Sequence, residues 1–188
     1  MIICQTPRLT LRLATADDAP LIHALWTDPR VMRFVGFPNG LTDTLESISS
    51  RISKNGSSEF SQLLIVELKA SLEAIGQCKM DLPDADGISE TDVKLLPEHW
   101  GRGYGVEIKR ALVDYLFTHT DCRAVQATPN VENIASIKMQ EAVGGTRISE
   151  GIYEFPEAMK SFTIPVHYYV YQVTREIWNK ERSKSNAS

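Results

Sequence analysis

The first clear pattern of apolar and polar residues lies near the beginning of the chain. Apolar side chains alternate with polar ones over positions 9–13, and a period of two predicts a strand. Thr15 and Asp18 have the spacing of a capping box at the start of a helix. The apolar residues of that helix share one face and are Leu21, Ile22, Leu25 and Trp26. A further helix is predicted to begin at Thr42.

The middle of the chain is typical of three strands, at 62–68, 74–82 and 88–96, separated by turn-forming residues. A glycine-rich segment then leads to a predicted helix at 104–119. Its apolar residues recur with helical spacing and are Ile108, Ala111, Leu112, Tyr115 and Leu116.

The last third of the chain continues the alternation of strands and helices. A short strand at 124–127 precedes a helix that Asn133 caps and that ends at Gly144. Two more strands, at 146–153 and 162–173, and a short terminal helix complete the pattern. This order predicts an α/β (α+β) fold, with one mixed, mostly antiparallel sheet and helices on both faces.

The length and composition indicate one globular domain, which we expect at 1–179. The chain has 188 residues, of which 43% are hydrophobic and 23% charged, as is usual for a folded domain. No linker or repeat interrupts it, and we expect residues 180–188 to form a disordered tail. No apolar run reaches the ~20 residues of a membrane span. Because no signal peptide precedes the first strand, a cytoplasmic location is expected.

The net charge and the spacing of cysteine and histidine bear on whether the chain binds nucleic acid or a metal. The net charge is −4 and no basic face is evident, which argues against nucleic acid as a partner. The three cysteines and four histidines are widely spaced, so we expect no metal site and three reduced thiols.

The segment at 95–107 carries the most specific chemical signal. Three glycines, Gly101, Gly103 and Gly105, stand at every second position between a strand and an amphipathic helix. Glycine allows sharp turns and close approach of a ligand to the backbone. The amides of residues 102–106 would be the unpaired donors of the first helical turn and would form an anion site suited to a diphosphate.

Other loops that bind phosphate fit less well. The Gly-Lys-Ser/Thr of nucleotide hydrolases is absent. The dinucleotide fingerprint needs a sixth-position glycine, where this chain has Val106. A tight turn without a ligand remains the alternative.

The remaining match is to the GNAT superfamily of acetyltransferases, whose loop reads Gln/Arg-x-x-Gly-x-Gly/Ala. Here Trp100-Gly101-Arg102-Gly103-Tyr104-Gly105 resembles it, with the leading Trp of a subgroup similar to ribosomal-protein N-terminal acetyltransferases. The segments 6–12 and 130–145 resemble two further motifs of that subgroup. The chain departs from the family at Gly145, where Phe is usual, and at Gln140, where many members carry the Tyr that protonates the leaving thiolate.

The resemblance implies that acetyl-CoA, the co-substrate, lies where two parallel strands splay apart, near 93–96 and 124–128. The residues that it implies for coenzyme binding are Leu95, Leu96, Trp100, Gly101, Arg102, Gly103, Tyr104, Gly105, Val106, Asn133 and Ser136. For Asn133 a plain helix cap is a compatible interpretation. For Ser136, also a catalytic candidate, an ordinary helix position is the alternative.

Attack by an amine needs a group that accepts a proton. Glu90 and Asp92 have period-two spacing and so point to one strand face, where either carboxylate is a candidate base; a solvated face is the alternative. His99 is a lesser candidate. Three aromatic residues lie where the family's first helices wall the acceptor site, or else pack in the core: Trp26, Phe34 and Phe37.

The sequence therefore predicts an N-acetyltransferase that acts on a primary amine, either a protein N-terminus or a small molecule. One alternative is a domain that binds acetyl-CoA without turnover. Another is a different donor such as succinyl-CoA, which would need an extra cation near the thioester. The late strands, rich in tyrosine at 168–171, either pair in a homodimer or close the sheet of a monomer.

Overall fold

An eight-stranded sheet organises the chain, in the strand order β1-β2-β3-β4-β5-β6-β8-β7. The computed structural model describes residues 1–54, 56 and 58–185. The strands are β1 (Ile2–Gln5), β2 (Leu9–Leu13), β3 (Leu64–Leu68), β4 (Ala74–Met80), β5 (Ile88–Leu95), β6 (Ala124–Ala127), β7 (Thr146–Tyr153) and β8 (Val166–Thr174).

Helices cover both faces of this sheet. They are α1 (Ala19–Thr27), α2 (Pro29–Met32), α3 (Leu45–Ser53), α4 (Tyr104–His119), α5 (Ile134–Ala142) and α6 (Arg175–Ser185). The larger core lies between α4 and the sheet, where Ile108, Leu112 and Leu116 are fully buried. The smaller core lies on the other face, where α1 and α3 pack over Ile65. The mixed α/β fold that the sequence predicted is confirmed.

One pair of strands breaks the antiparallel pattern. β5 and β6 are parallel, and the last residues that they pair are Glu90 and Gln126. Beyond this pair β5 continues to Leu95 beside β4 alone, so the two strands separate. We call the gap between β6 and residues 91–95 of β5 the cleft. Its closed end is marked by Thr91, whose hydroxyl donates to the Gln126 carbonyl at 3.3 Å.

Several predicted element boundaries agree with the structure. The bounds of β2, α4, β6 and β7 are those predicted. β1 was not predicted, because four residues without alternation give too little signal. α3 begins at Leu45 rather than near Thr42, since the Thr44 hydroxyl accepts from the Ser47 amide and caps it there. β8 begins at Val166 rather than 162, because the amides of Phe162 and Thr163 bond the Met159 carbonyl in a turn.

The terminal helix α6 is longer than expected. It runs to Ser185, past residue 179, where we expected the ordered domain to end; positions 186–188 lie outside the described residues. Arg175 donates to the carbonyls of Phe117, Thr120 and Cys122, and Trp178 packs on Phe117 with the ring centroids 5.2 Å apart. These contacts hold the start of α6 against α4. Across the described residues, no helix has the length and apolarity to cross a membrane.

Candidate active site

The glycine-rich loop joins β5 to α4 through a backbone that favours glycine. Gly101 and Gly103 have φ values of +73° and +78°, in the left-handed region that other residues enter at a cost. Gly103 is also the residue that caps α4. A side chain at Gly101 would meet open space, so conformation rather than crowding requires glycine there.

The loop presents a run of free backbone amides. The first helical hydrogen bond of α4 joins the Glu107 amide to the Gly103 carbonyl at 3.2 Å. The six preceding amides, of residues 101–106, have no acceptor among the residues that the structure describes. They lie at the positive end of a 16-residue helix, so an anion would be attracted by both the donors and the helix dipole.

Arg8 braces this loop from the chain segment just before β2. Its Nε donates to Glu107 Oε2 at 2.6 Å, and its Nη1 donates to the Arg102 carbonyl at 3.0 Å. The guanidinium also lies 4.6 Å from the centre of the Tyr104 ring. Partial burial favours a raised pKa for Glu107, but hydrogen bonds from Thr6 and Arg8 outweigh it and lower that pKa. Arg8 belongs to the opening motif at residues 6–12, and the sequence alone predicted no role for it.

The edge of β5 that faces the cleft also carries free backbone groups. The Glu90 carbonyl and the Leu96 amide bond toward β4, so the backbone groups of alternate residues, including Val93 and Leu95, face the cleft. The Leu95 carbonyl accepts from Trp100 Nε1 at 2.8 Å. Among the described residues, the amide and carbonyl of Val93 and the amide of Leu95 therefore remain unpaired. Leu96, in contrast, uses its amide to bond Ile75.

The two candidate bases share a strand face, as their spacing predicted. Glu90 is exposed and accepts from Gln126 Nε2 at 2.8 Å. Asp92 accepts a hydrogen bond from Lys94 Nζ, and its side chain is 43% exposed. Gln77, opposite Lys94 on β4, bonds Trp26 of α1, so this face lies on the side of the sheet away from α4.

Helix α5 carries Ser136 and Gln140, and Asn133 stands at its N-terminal cap. Asn133 Oδ1 accepts from the Ser136 amide at 3.1 Å, so the helix-cap interpretation of Asn133 is confirmed. Ser136 is half-buried. Gln140 is 3% exposed, and its side-chain amide bonds none of the described residues. The Gly145 that replaces the usual Phe is explained by crowding, because a Cβ there would lie 2.7 Å from the Gln140 carbonyl oxygen.

Of the aromatic candidates, Trp26 lies on the side of the sheet that carries α1 and α3, and His99 lies just before the glycine-rich loop. Trp26 Nε1 donates to Gln77 Oε1 at 3.1 Å, and Phe37 meets Phe155 edge to face at 5.4 Å. Phe34 packs under the guanidinium of Arg33. His99 is 6% exposed, and its Nε2 lies 3.3 Å from Glu73 Oε1 without hydrogen-bond geometry. This burial separates His99 from an amine that approaches through solvent.

Two pockets that are open to solvent lie outside the cleft. A groove of about 640 Å³ runs between the N-terminal segment and α4, and it touches the glycine-rich loop at Gly103 and Val106. A cavity of about 230 Å³ lies beside Trp26, Arg51 and Lys79. Neither pocket is lined by residues of β5 or β6. The cleft is therefore defined by the separation of these two strands and by the unpaired backbone groups of β5. Within the described part of the chain, no group of three or more His, Cys, Asp or Glu residues could hold a metal ion.

Comparison with known proteins places this architecture in one family. Residues 8–146 match the family model described as Acetyltransferase (GNAT) domain. The chain is 28% identical over 170 residues to an uncharacterized N-acetyltransferase, p20, of Bacillus licheniformis. The aligned region covers 87% of this chain and 92% of p20.

Solved structures agree on the fold. An acetyltransferase (GNAT family) from Bacillus anthracis superposes with a TM-score of 0.75 at 23% identity, over 94% of this chain and 99% of that one. Spermidine N-acetyltransferase from Vibrio cholerae, solved with CoA and spermine, gives a TM-score of 0.74 at 19% identity, over 92% and 99% of the two chains. Because the family model spans the loop, the cleft and both flanking helices, the chain belongs to the GNAT acetyltransferase family.

Proposed function

We propose that this protein transfers the acetyl group of acetyl-CoA to a primary amine by direct attack in a ternary complex. The observation that carries the proposal is the run of six unpaired amides at residues 101–106, next to a cleft between parallel strands. Several convergent amides at a helix N-terminus suit a diphosphate better than a single carboxylate.

The coenzyme would lie with its diphosphate on the glycine-rich loop and its pantetheine arm along β5. The free amide of Leu95 and the free carbonyl of Val93 would bond that arm as a further strand would. The Val93 amide would then donate to the thioester carbonyl and stabilise the negative charge that develops on its oxygen during attack. Trp100 would contribute to coenzyme binding indirectly, because its indole N–H already donates to the Leu95 carbonyl.

The acceptor would approach from the face that carries Asp92. An alkyl amine is mostly protonated at neutral pH and must lose a proton to attack. Asp92 is the better placed base, because it is half-buried beside Val93, whereas Glu90 is exposed and already bonded to Gln126. An incoming ammonium would replace Lys94 as the partner of Asp92.

Gln140 cannot protonate the leaving group, because its side-chain amide has no acidic proton. The amine nitrogen bonds to the thioester carbon, the C–S bond breaks, and the coenzyme leaves as a thiolate. Thiols ionise not far above neutral pH, so this thiolate can depart and take a proton from water. The half-buried Ser136 hydroxyl is the candidate donor of a hydrogen bond to it.

Two observations favour a primary amine as the acceptor: the carboxylates on the acceptor face and the ligand of a structural neighbour. The acceptor face offers two carboxylates, Glu90 and Asp92, to a cationic amine. The structural neighbour from Vibrio cholerae holds spermine, a polyamine. A protein N-terminus, the acceptor expected from the ribosomal-protein subgroup, presents the same functional group and belongs in the same test.

The test compares two variants at one position. Gly103→Asn and Gly103→Asp introduce side chains of the same size that both tolerate a left-handed backbone, but only Asp adds negative charge. By calorimetry we expect acetyl-CoA to bind the parent at micromolar strength and the Asn variant within a few-fold. We expect the Asp variant to bind far more weakly.

Turnover then separates an enzyme from a binding domain. A panel of polyamines, amino sugars and peptides with free N-termini should reveal at least one acceptor that yields free thiol. Tight binding of acetyl-CoA with no acceptor across the panel would support the binding-domain alternative. Failure of the parent to bind acetyl-CoA or CoA would overturn the proposed function.

A further inference from the structure

A buried polar cluster lies beneath the closed end of the cleft, on the α4 side of the sheet. Lys109 of α4 is 1% exposed and Ser89 of β5 is fully buried. Lys109 Nζ donates to Thr91 Oγ1, and Thr91 donates in turn to the Gln126 carbonyl. The Ser89 hydroxyl has no hydrogen-bond partner among the described residues. The proposed acetyl transfer does not use this cluster.

A lysine at this position is costly to the fold. An ammonium has three N–H donors, and Thr91 is the one hydrogen-bond acceptor of Lys109 in the described structure. Asp92 contributes attraction, but its carboxylate lies on the opposite face of β5 and is already paired with Lys94. An apolar residue in the helical stripe beside Ile108 would avoid the loss of hydration. Titratable groups that are buried with few partners concentrate at functional sites.

The cluster is within reach of a ligand in the cleft. Thr91 is half-buried and stands at the closed end of the cleft, and its hydroxyl is the group to which Lys109 Nζ donates. Thr91 is two residues from Val93, which corresponds to about 6.6 Å along a strand. The proposed thioester carbonyl lies at the Val93 amide, and a short acyl chain directed toward the closed end would bring its far carbon atoms to Thr91.

We propose that Lys109, Thr91 and Ser89 form a subsite for the terminal carboxylate of a dicarboxylic acyl-CoA, so that this protein accepts donors of the succinyl-CoA class. The inference rests on the proposed function, since it assumes a CoA thioester in the cleft. A carboxylate has lone pairs for the unused ammonium donors and for the free Ser89 hydroxyl. The bonds change as in acetyl transfer: the amine nitrogen bonds to the thioester carbon, the C–S bond breaks, and the coenzyme leaves as a thiolate that takes a proton from water. The terminal carboxylate is unchanged.

The experiment compares succinyl-CoA with butyryl-CoA, whose acyl group has the same number of carbon atoms and no charge. Each donor is measured for kcat/KM with a fixed amine and for Kd by calorimetry, with acetyl-CoA as the reference. The variants are Lys109→Met, which removes the buried amino group, and Arg110→Met, which removes an exposed cation from the next position of α4.

We expect the parent and Arg110→Met to prefer succinyl-CoA to butyryl-CoA by about tenfold or more, as for a hydrogen bond to a charged group. Lys109→Met should lose this preference and still bind acetyl-CoA. Equal use of the two donors by the parent, or an equal effect of Lys109→Met on all donors, would overturn the subsite. Binding of no CoA thioester at all would instead overturn the proposed function.

Discussion

Arg8 and Glu107 are separated by 99 positions in the chain, yet Arg8 Nε lies 2.6 Å from Glu107 Oε2. The pair joins the segment before β2 to the first turn of α4. Glu107 is a carboxylate close to the proposed diphosphate site, where negative charge opposes the binding of an anion. Arg8 compensates that charge, and its contact with the Arg102 carbonyl also orients the loop.

The first prediction concerns this pair. Arg8→Met should weaken acetyl-CoA binding by about three- to tenfold, because it leaves the Glu107 carboxylate uncompensated beside the diphosphate. Adding Glu107→Gln should recover most of the loss, since the opposing charge is then gone. Calorimetry at low and high salt measures both effects, and the loss should shrink as salt rises. Additive losses in the double variant would contradict this account.

The sequence predicted the fold well where the pattern was periodic. The bounds of α4 followed from an apolar stripe and a glycine-rich start, and those of β2 from the alternation of apolar and polar residues. It also predicted that Glu90 and Asp92 share a face, because alternation fixes side-chain direction in a strand. The splay of β5 from β6 came from the family resemblance, and the strand pairing confirms it.

Other features of the site depend on contacts that no local pattern reveals. The bond from the Trp100 indole to the Leu95 carbonyl and the brace from Arg8 to Glu107 exist only after the chain folds back on itself. Lys109 was missed because a charged residue in an amphipathic helix is ordinarily assigned to its polar face. Its position directly after Ile108, at the edge of the apolar stripe, was the available signal.

Asn133 should affect stability and coenzyme binding separately. Asn133→Ala removes the side chain that caps α5, and we expect a loss of about 1 kcal/mol in the free energy of unfolding. Asn133→Asp keeps a capping oxygen and should retain that stability. If the Asn133 amide also donates to the pantetheine arm, both variants should bind acetyl-CoA more weakly. Denaturant titration and calorimetry on the two variants give the result, and full affinity in the Asp variant would limit Asn133 to the cap.

The third prediction distinguishes the two candidate bases. Asp92→Asn should lower kcat by about 100-fold while leaving the Kd of acetyl-CoA within twofold, as for loss of a general base. Glu90→Gln should have a much smaller effect, because its carboxylate is exposed and held by Gln126. Steady-state kinetics with a saturating amine provides the comparison. A larger loss in Glu90→Gln would transfer the role to that residue, and unchanged rates in both would leave an ordered water as the acceptor.

The last prediction concerns the effect of Lys109 on stability across pH. Loss of hydration on burial lowers the pKa of Lys109 from its ordinary value of 10.5 to about 7, and the Asp92 carboxylate opposes part of that change. Between these two values the unfolded chain binds a proton that the folded chain does not. Stability contributed by this group therefore increases as pH rises from about 7 toward 10.5, and the cost of burying Lys109 is fully present below pH 7.

Lys109→Met removes the titrating group and keeps a long apolar side chain in the same space. We therefore expect it to raise the free energy of unfolding by several kcal/mol at pH 6 and by progressively less at pH 8 and pH 9. Urea titrations of the parent and the variant at these three pH values measure the difference. The exposed variant Arg110→Met should show no such trend. A difference between parent and Lys109→Met that stays constant with pH would show that Lys109 keeps its ordinary pKa in the folded protein, and therefore that its ammonium is hydrated rather than buried beneath the cleft.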